Sequence, residues 1–88
     1  MRQGEGSRSE FSVRDARQQK WHLESLVRAD LIKSPYPEVQ RATCTVNGRE
    51  LILSGRVSSY YLKQVAQRIA LDRVGDSATV VNELQVEP

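Results

Sequence analysis

Val46-Asn47-Gly48-Arg49-Glu50-Leu51-Ile52-Leu53-Ser54-Gly55-Arg56-Val57 is the stretch that decides the fold. Asn-Gly flanked by alternating apolar residues is the strongest short hairpin signal, because both central positions of the favoured turn need positive φ. Upstream, Val39 to Asn47 alternates, with Ala42, Cys44 and Val46 on one side and Arg41, Thr43 and Thr45 on the other. Downstream, Glu50 to Val57 continues as a second strand. Leu51, Leu53 and Val57 share its core face, and Ile52, Ser54 and Arg56 share the opposite one. Thr and Val suit such half-buried strands, and a two-residue connection makes them antiparallel. Gly55 falls on the core side, where a missing side chain predicts a helix packed closely over it.

Working outward, Ser34-Pro35-Tyr36-Pro37 precedes the first strand and stops whatever lies before it, since proline restricts its neighbour and lacks a donor. Before it, Val13 to Lys33 reads as a helix free of Gly and Pro. Ser12 is its N-cap, with Asp15 three residues on. At about 100° per residue, Ala16, Leu23, Leu26, Val27 and Leu31 make a core stripe. After the hairpin, Ser58 or Ser59 caps a second helix over Tyr60 to Arg73, with Leu62, Val65, Ala66 and Ile69 at helical spacing. Gly75 is placed to end it. Ala78 to Val86 is the last strand, with Val80, Leu84 and Val86 on one face and Val81, Glu83 and Gln85 on the other.

The order is α-β-β-α-β, an α+β class. The second helix serves as the crossover that lays the last strand parallel to the second. Two helices then cover one face of a three-stranded mixed sheet, and the other face is left open. Residues 1–12 read as a flexible N-terminal tail, and residues 13–88 as one domain. A chain of 88 residues has no room for a second core.

The hairpin residues resemble the signature of the BON domain, the bacterial osmotic-shock and nodulation-type domain. Gly48, Leu53, Gly55 and Val57 match its characteristic positions. Ala66 and Ile69 match its second helix, and Gly75, Val80, Asn82, Leu84 and Val86 match its closing glycine and final strand. The resemblance spans His22 to Val86 in a single copy. Asp76 stands where the family usually has a valine. The resemblance implies an α-β-β-α-β binding module with a proposed role in contacting phospholipid or membranes, and no catalytic residues.

Composition narrows the function from another side. The net charge of +2, from 13 Lys and Arg against 11 Asp and Glu, is too small to imply nucleic acid. The one RNA-binding fold with this element order needs a Gly-x-x-Gly loop between helices, and the sequence has none there. A lone Cys44 and a lone His22 make neither a disulfide, a zinc site nor a nucleophile–base set. No metal or cofactor is expected, and nothing supports an enzyme. No apolar run approaches the roughly 20 residues of a membrane span. Residues 1–10 lack a secretory apolar core, so the chain as written is expected in the cytoplasm. Envelope association is expected if it is a fragment of a longer exported protein.

Two surfaces are candidates for binding. On the first helix, Arg14, Arg17, Trp21, Arg28 and Ile32 form a second stripe opposite Leu23. An indole and an isoleucine among arginines suit a lipid headgroup layer. The competing reading is ordinary solvated surface, with Trp21 folded over a sheet edge. Lipid contact is assigned to Arg17, Trp21, Arg28 and Ile32, with Glu24 opposing it from beside the stripe. The alternative is protein docking or self-association on the open sheet face, through Thr43, Thr45, Ile52, Ser54 and Val81. That face also reads as plain solvated sheet. Tyr36, Tyr60 and Tyr61 read as caps over a small core rather than interface markers. Asn82 is expected to pin a loop. Asp30 either marks where the first helix lifts away or pairs with a base.

Overall fold

A computed structural model describes residues 22–88 of the chain. The expected tail over 1–12, the Ser12 cap and the Arg17 and Trp21 positions lie outside the described residues. Helix α1 covers residues 22–32. It closes with a tightened turn, in which the Lys33 N–H donates to the carbonyls of Ala29 (3.3 Å) and Asp30 (3.2 Å). Val27 and Leu31 are fully buried, and Leu23 packs on the core from its rim.

The proline run does more than stop α1. Pro37 opens a short helix, α2, over Pro37–Gln40, because its fixed φ is preset for a first helical position. The Ser34 hydroxyl accepts from the Tyr36 N–H at 3.2 Å, and Gln40 Nε2 donates to the Ser34 carbonyl at 2.7 Å. Val39 is buried on a helical turn rather than at the start of a strand. The first strand, β1, therefore begins at Thr43 and runs Thr43–Asn47.

β2, Glu50–Ser54, pairs antiparallel with β1, with Asn47 opposite Glu50. That register corrects the turn. Its two central residues are Gly48 and Arg49, and only Gly48 has positive φ (63°). This is the pattern of a turn with glycine at its first central position, and Asn47 is still strand.

The second strand breaks at Gly55 and resumes as β3, Arg56–Val57. Gly55 has φ 132°, a region that side chains rarely enter. A Cβ there would sit 3.4 Å from Leu84 Cδ2 and 3.7 Å from Ala42 Cα. The close approach is thus made by the last strand and the β1 approach, not by a helix.

Ser59 caps α3, Tyr60–Val74, its hydroxyl accepting from the Leu62 N–H at 3.2 Å. Ala66 and Ala70 are fully buried on its inner face. Gly75, at φ 53°, ends it with its N–H on the Leu71 carbonyl. The last strand is also broken, into β4, Thr79–Asn82, and β5, Gln85–Val86. β4 pairs parallel with β2, and β5 pairs parallel with β3. The ladder runs through both breaks, because the Glu83 N–H donates to the Leu53 carbonyl and the Gln85 N–H to the Gly55 carbonyl. Strand order is β1-β2-β4.

Asn82 accounts for the second break. Its Nδ2 donates to the Lys63 carbonyl (2.9 Å) and to Gln67 Oε1 (3.1 Å), and its Oδ1 accepts from the Leu84 N–H (3.1 Å). One amide thus pins α3 to the sheet and turns the chain so that Leu84 drops into the core, 1% exposed. The fold is the expected α+β arrangement with helices on one face of a mixed sheet, plus the short α2.

Candidate functional site

α1 presents Arg28 and Ile32 one turn apart on its outer side. Ile32 is 56% exposed. Of the four residues assigned to lipid contact, these two are described and both are exposed. Glu24, expected to oppose anions, faces elsewhere. Its Oε2 accepts from the Val46 N–H at 2.6 Å, while its own carbonyl lies 3.5 Å from Cys44 Sγ. The carboxylate is engaged on the β1 edge, at the border of the Arg28–Ile32 face. Sequence periodicity placed Glu24 beside this stripe, but only the docking of α1 on β1 shows its partner.

Cys44 is buried. Burial pushes its thiol pKa up, Arg28 pulls it down and Glu24 raises it further. A raised pKa leaves little thiolate, so Cys44 acts as core rather than nucleophile. His22 is exposed at the start of the described part of α1. Among the described residues no group of three or more His, Cys, Asp and Glu could hold a metal ion.

The open face carries the second set. Thr45, Ile52 and Val81 are brought into one row across β1, β2 and β4, and Thr43 and Ser54 form the adjacent pair. Ile52, Ser54 and Val81 are half-buried, and Thr43 and Thr45 are exposed. Arg56 and Glu87 sit 3.7 Å apart, well exposed to solvent. All five assigned residues therefore share one surface.

The tyrosines depart from expectation. Tyr60 and Tyr61 are 65% and 59% exposed rather than capping the core, and only Tyr36 packs against it. Tyr36 and Tyr61 meet edge to face at 5.8 Å between centroids, with their hydroxyls 3.1 Å apart. That hydrogen bond, with the neighbouring phenol's charge, raises the Tyr36 pKa above its ordinary value. Lys63 Nζ stands 5.8 Å from the Tyr60 ring centroid. An open concavity of about 740 Å³ runs along α3 past Tyr60, Gln64, Arg68 and Leu71. It presents no pair of acid and base groups. Sequence patterning missed it, because exposed apolar residues on a helix look like core positions until packing is known.

Asp30 does pair with a base. Arg73 Nε and Nη2 donate to its two carboxylate oxygens at 2.7 and 3.0 Å. The arginine hydrogen bond lowers the Asp30 pKa against a smaller opposing effect of burial.

These features define a small two-layer α+β domain with exposed side chains on one helix face and one sheet face. The family model of the BON domain matches residues 21–88, and the chain belongs to that family, in a single copy. BON domains are associated with phospholipid binding. No curated protein matches the chain.

Proposed function

We propose that this BON domain is a non-enzymatic module making peripheral contact with anionic phospholipid through the outer face of α1. The observation that carries this reading is Ile32, more than half exposed and one turn from the exposed Arg28. An apolar group beside a guanidinium matches a headgroup layer, where the aliphatic part enters the acyl boundary and the cation pairs with phosphate. Arg17 and Trp21 extend the same stripe in sequence. The Glu24 carboxylate is tied to the Val46 amide on the β1 edge. No helix among the described residues is long and apolar enough to cross a membrane. Envelope association is part of this reading if the module belongs to an exported protein.

The test is co-sedimentation with vesicles of phosphatidylglycerol and, separately, of phosphatidylcholine. Binding is expected with the anionic vesicles alone, and Arg28→Glu combined with Ile32→Asp should abolish it. Equal binding by the wild type and the double variant would overturn the reading. A second reading is favoured by the alignment of Ile52 with Val81 and Thr45: protein docking on the open sheet face. Ile52→Lys would abolish such docking and leave vesicle binding unchanged.

A further inference from the structure

The two edges of the three-stranded sheet are treated differently. At the β1 edge, α1 lies over the strand, Cys44 and Val46 are 3% and 4% exposed, and Glu24 takes the outward Val46 amide. A carboxylate on an edge amide is a guard against further strand pairing. Among the described residues the β4 edge has no such counterpart. The Thr79 N–H donates to the Arg49 carbonyl and the Glu83 N–H to the Leu53 carbonyl, both at 2.8 Å. The backbone groups of the intervening Val80 and Asn82 therefore point away from β2. Among the described residues no strand pairs with that side of β4. Val80 has core parity, yet it is only half-buried, as is Val86 on β5.

We infer that this edge is a homodimerisation site, in which β4 pairs antiparallel with β4 of a second copy. The segment Ala78-Thr79-Val80-Val81-Asn82 has no charge and no proline, the usual edge guards. A two-fold axis normal to the sheet keeps both helical layers on the same side. It sets Val80 opposite its own copy, joined by reciprocal amide–carbonyl bonds. Thr79 then faces Val81 of the second copy, Ala78 faces Asn82, and Ser77 faces Glu83. No like charges oppose one another in this register, so the strand is complementary to itself. The pairing has natural limits: the Gly75 turn at one end, and at the other Leu84, whose N–H is already held by Asn82 Oδ1. A partner strand of the same short length fits between them. Two three-stranded sheets become one continuous sheet, and the half-exposed Val80 side chains cover each other. This edge is distinct from the open face of the second reading above, and it does not depend on lipid.

The experiment is sedimentation equilibrium on the full chain, without lipid, from micromolar to millimolar concentration. The weight-average mass is expected to rise from 10.0 kDa toward twice that value. Thr79→Glu with Val81→Glu sets two like-charged cross-strand pairs at the junction and should weaken the dimer roughly tenfold. Thr79→Lys with Val81→Glu sets opposite charges across the same positions and should restore it. Ile52→Lys, on the open face, should leave the mass unchanged. Circular dichroism establishes that each variant is folded. A wild type that stays at monomer mass throughout overturns the inference. So does a doubly Glu-substituted variant that dimerises like the wild type, and so does loss of the dimer in Ile52→Lys, which would place the contact on the face instead.

Discussion

Asp30 and Arg73 join helices that are far apart in sequence, and their fork of two hydrogen bonds has a definite pH signature. The Asp30 pKa is lowered in the folded protein, first by the arginine hydrogen bond. A carboxylate with a depressed folded pKa contributes stability that is fully present above its unfolded value, about 3.9. That contribution is lost as pH falls through the folded pKa. Both side chains retain solvent, at 39% for Arg73 and 21% for Asp30, so water screens the pair and its contribution is small. Urea unfolding at pH 7 should show Asp30→Asn slightly less stable than the wild type. The difference should shrink as pH falls below the unfolded value and through the lowered folded pKa. A constant difference at all pH values would assign the loss to packing instead of charge. Asn82 shows the same long-range logic in a neutral group, with three hydrogen bonds reaching one helix and one turn.

The paired breaks in the second and last strands are where element and tertiary contact meet. Alternation alone reads Glu50 to Val57 and Ala78 to Val86 as unbroken, and each is two strands. Gly55 tests the reason. At φ 132°, and with Leu84 Cδ2 3.4 Å from where a Cβ would stand, Gly55→Ala should destabilise by about 1–3 kcal/mol. In a domain this small that lowers the melting temperature by about 4–8 °C per kcal/mol. Gly48 also has positive φ, but nothing lies within 4 Å of the corresponding Cβ position. Gly48→Ala should cost about 1–2 kcal/mol, the backbone part alone. Differential scanning calorimetry of both variants compares the two backbone positions, since the 3.4 Å approach to Leu84 is ordinary van der Waals contact. A Gly55→Ala melting temperature equal to that of the wild type would remove backbone strain at φ 132° from the explanation.

The proposed lipid contact belongs to the protein as a unit, because the sheet must hold α1 so that its outer face is free. Trp21 is the only tryptophan and stands seven residues before Arg28 in the sequence, within the stripe proposed for lipid contact, so its emission is the probe of choice. Adding phosphatidylglycerol vesicles is expected to shift that emission to the blue, and salt should reverse the shift, since exposed charges are screened beyond about 10 Å at 0.1 M. Phosphatidylcholine vesicles should leave it unchanged. A shift with both lipids, insensitive to salt, would point to apolar partitioning without headgroup recognition.

The element order, the antiparallel hairpin, the parallel return strand and most of the core were legible from residues 39–86, because each depends on local periodicity. Leu51, Leu53 and Val57 alternate and are buried. Of Leu62, Val65, Ala66 and Ile69 the first and third are buried, while Val65 and Ile69 pack from the rim; the buried Ala70 was not read from the pattern. The candidate surfaces were legible for the same reason, as the residues left over on the far side of each period. Local pattern is blind to contacts between residues distant in the chain. Pro37 could have continued an extended segment or begun a helix, and what fixes the helix is a set of local side-chain hydrogen bonds, at Ser34 and Gln40, that alternation does not register. The partner of Glu24 is twenty-two residues away, and that of Asp30 forty-three. Which edge of the sheet is guarded and which is bare depends on where α1 comes to rest. That position is set by burial of Val27 and Leu31 against the sheet, a choice made by the whole core at once.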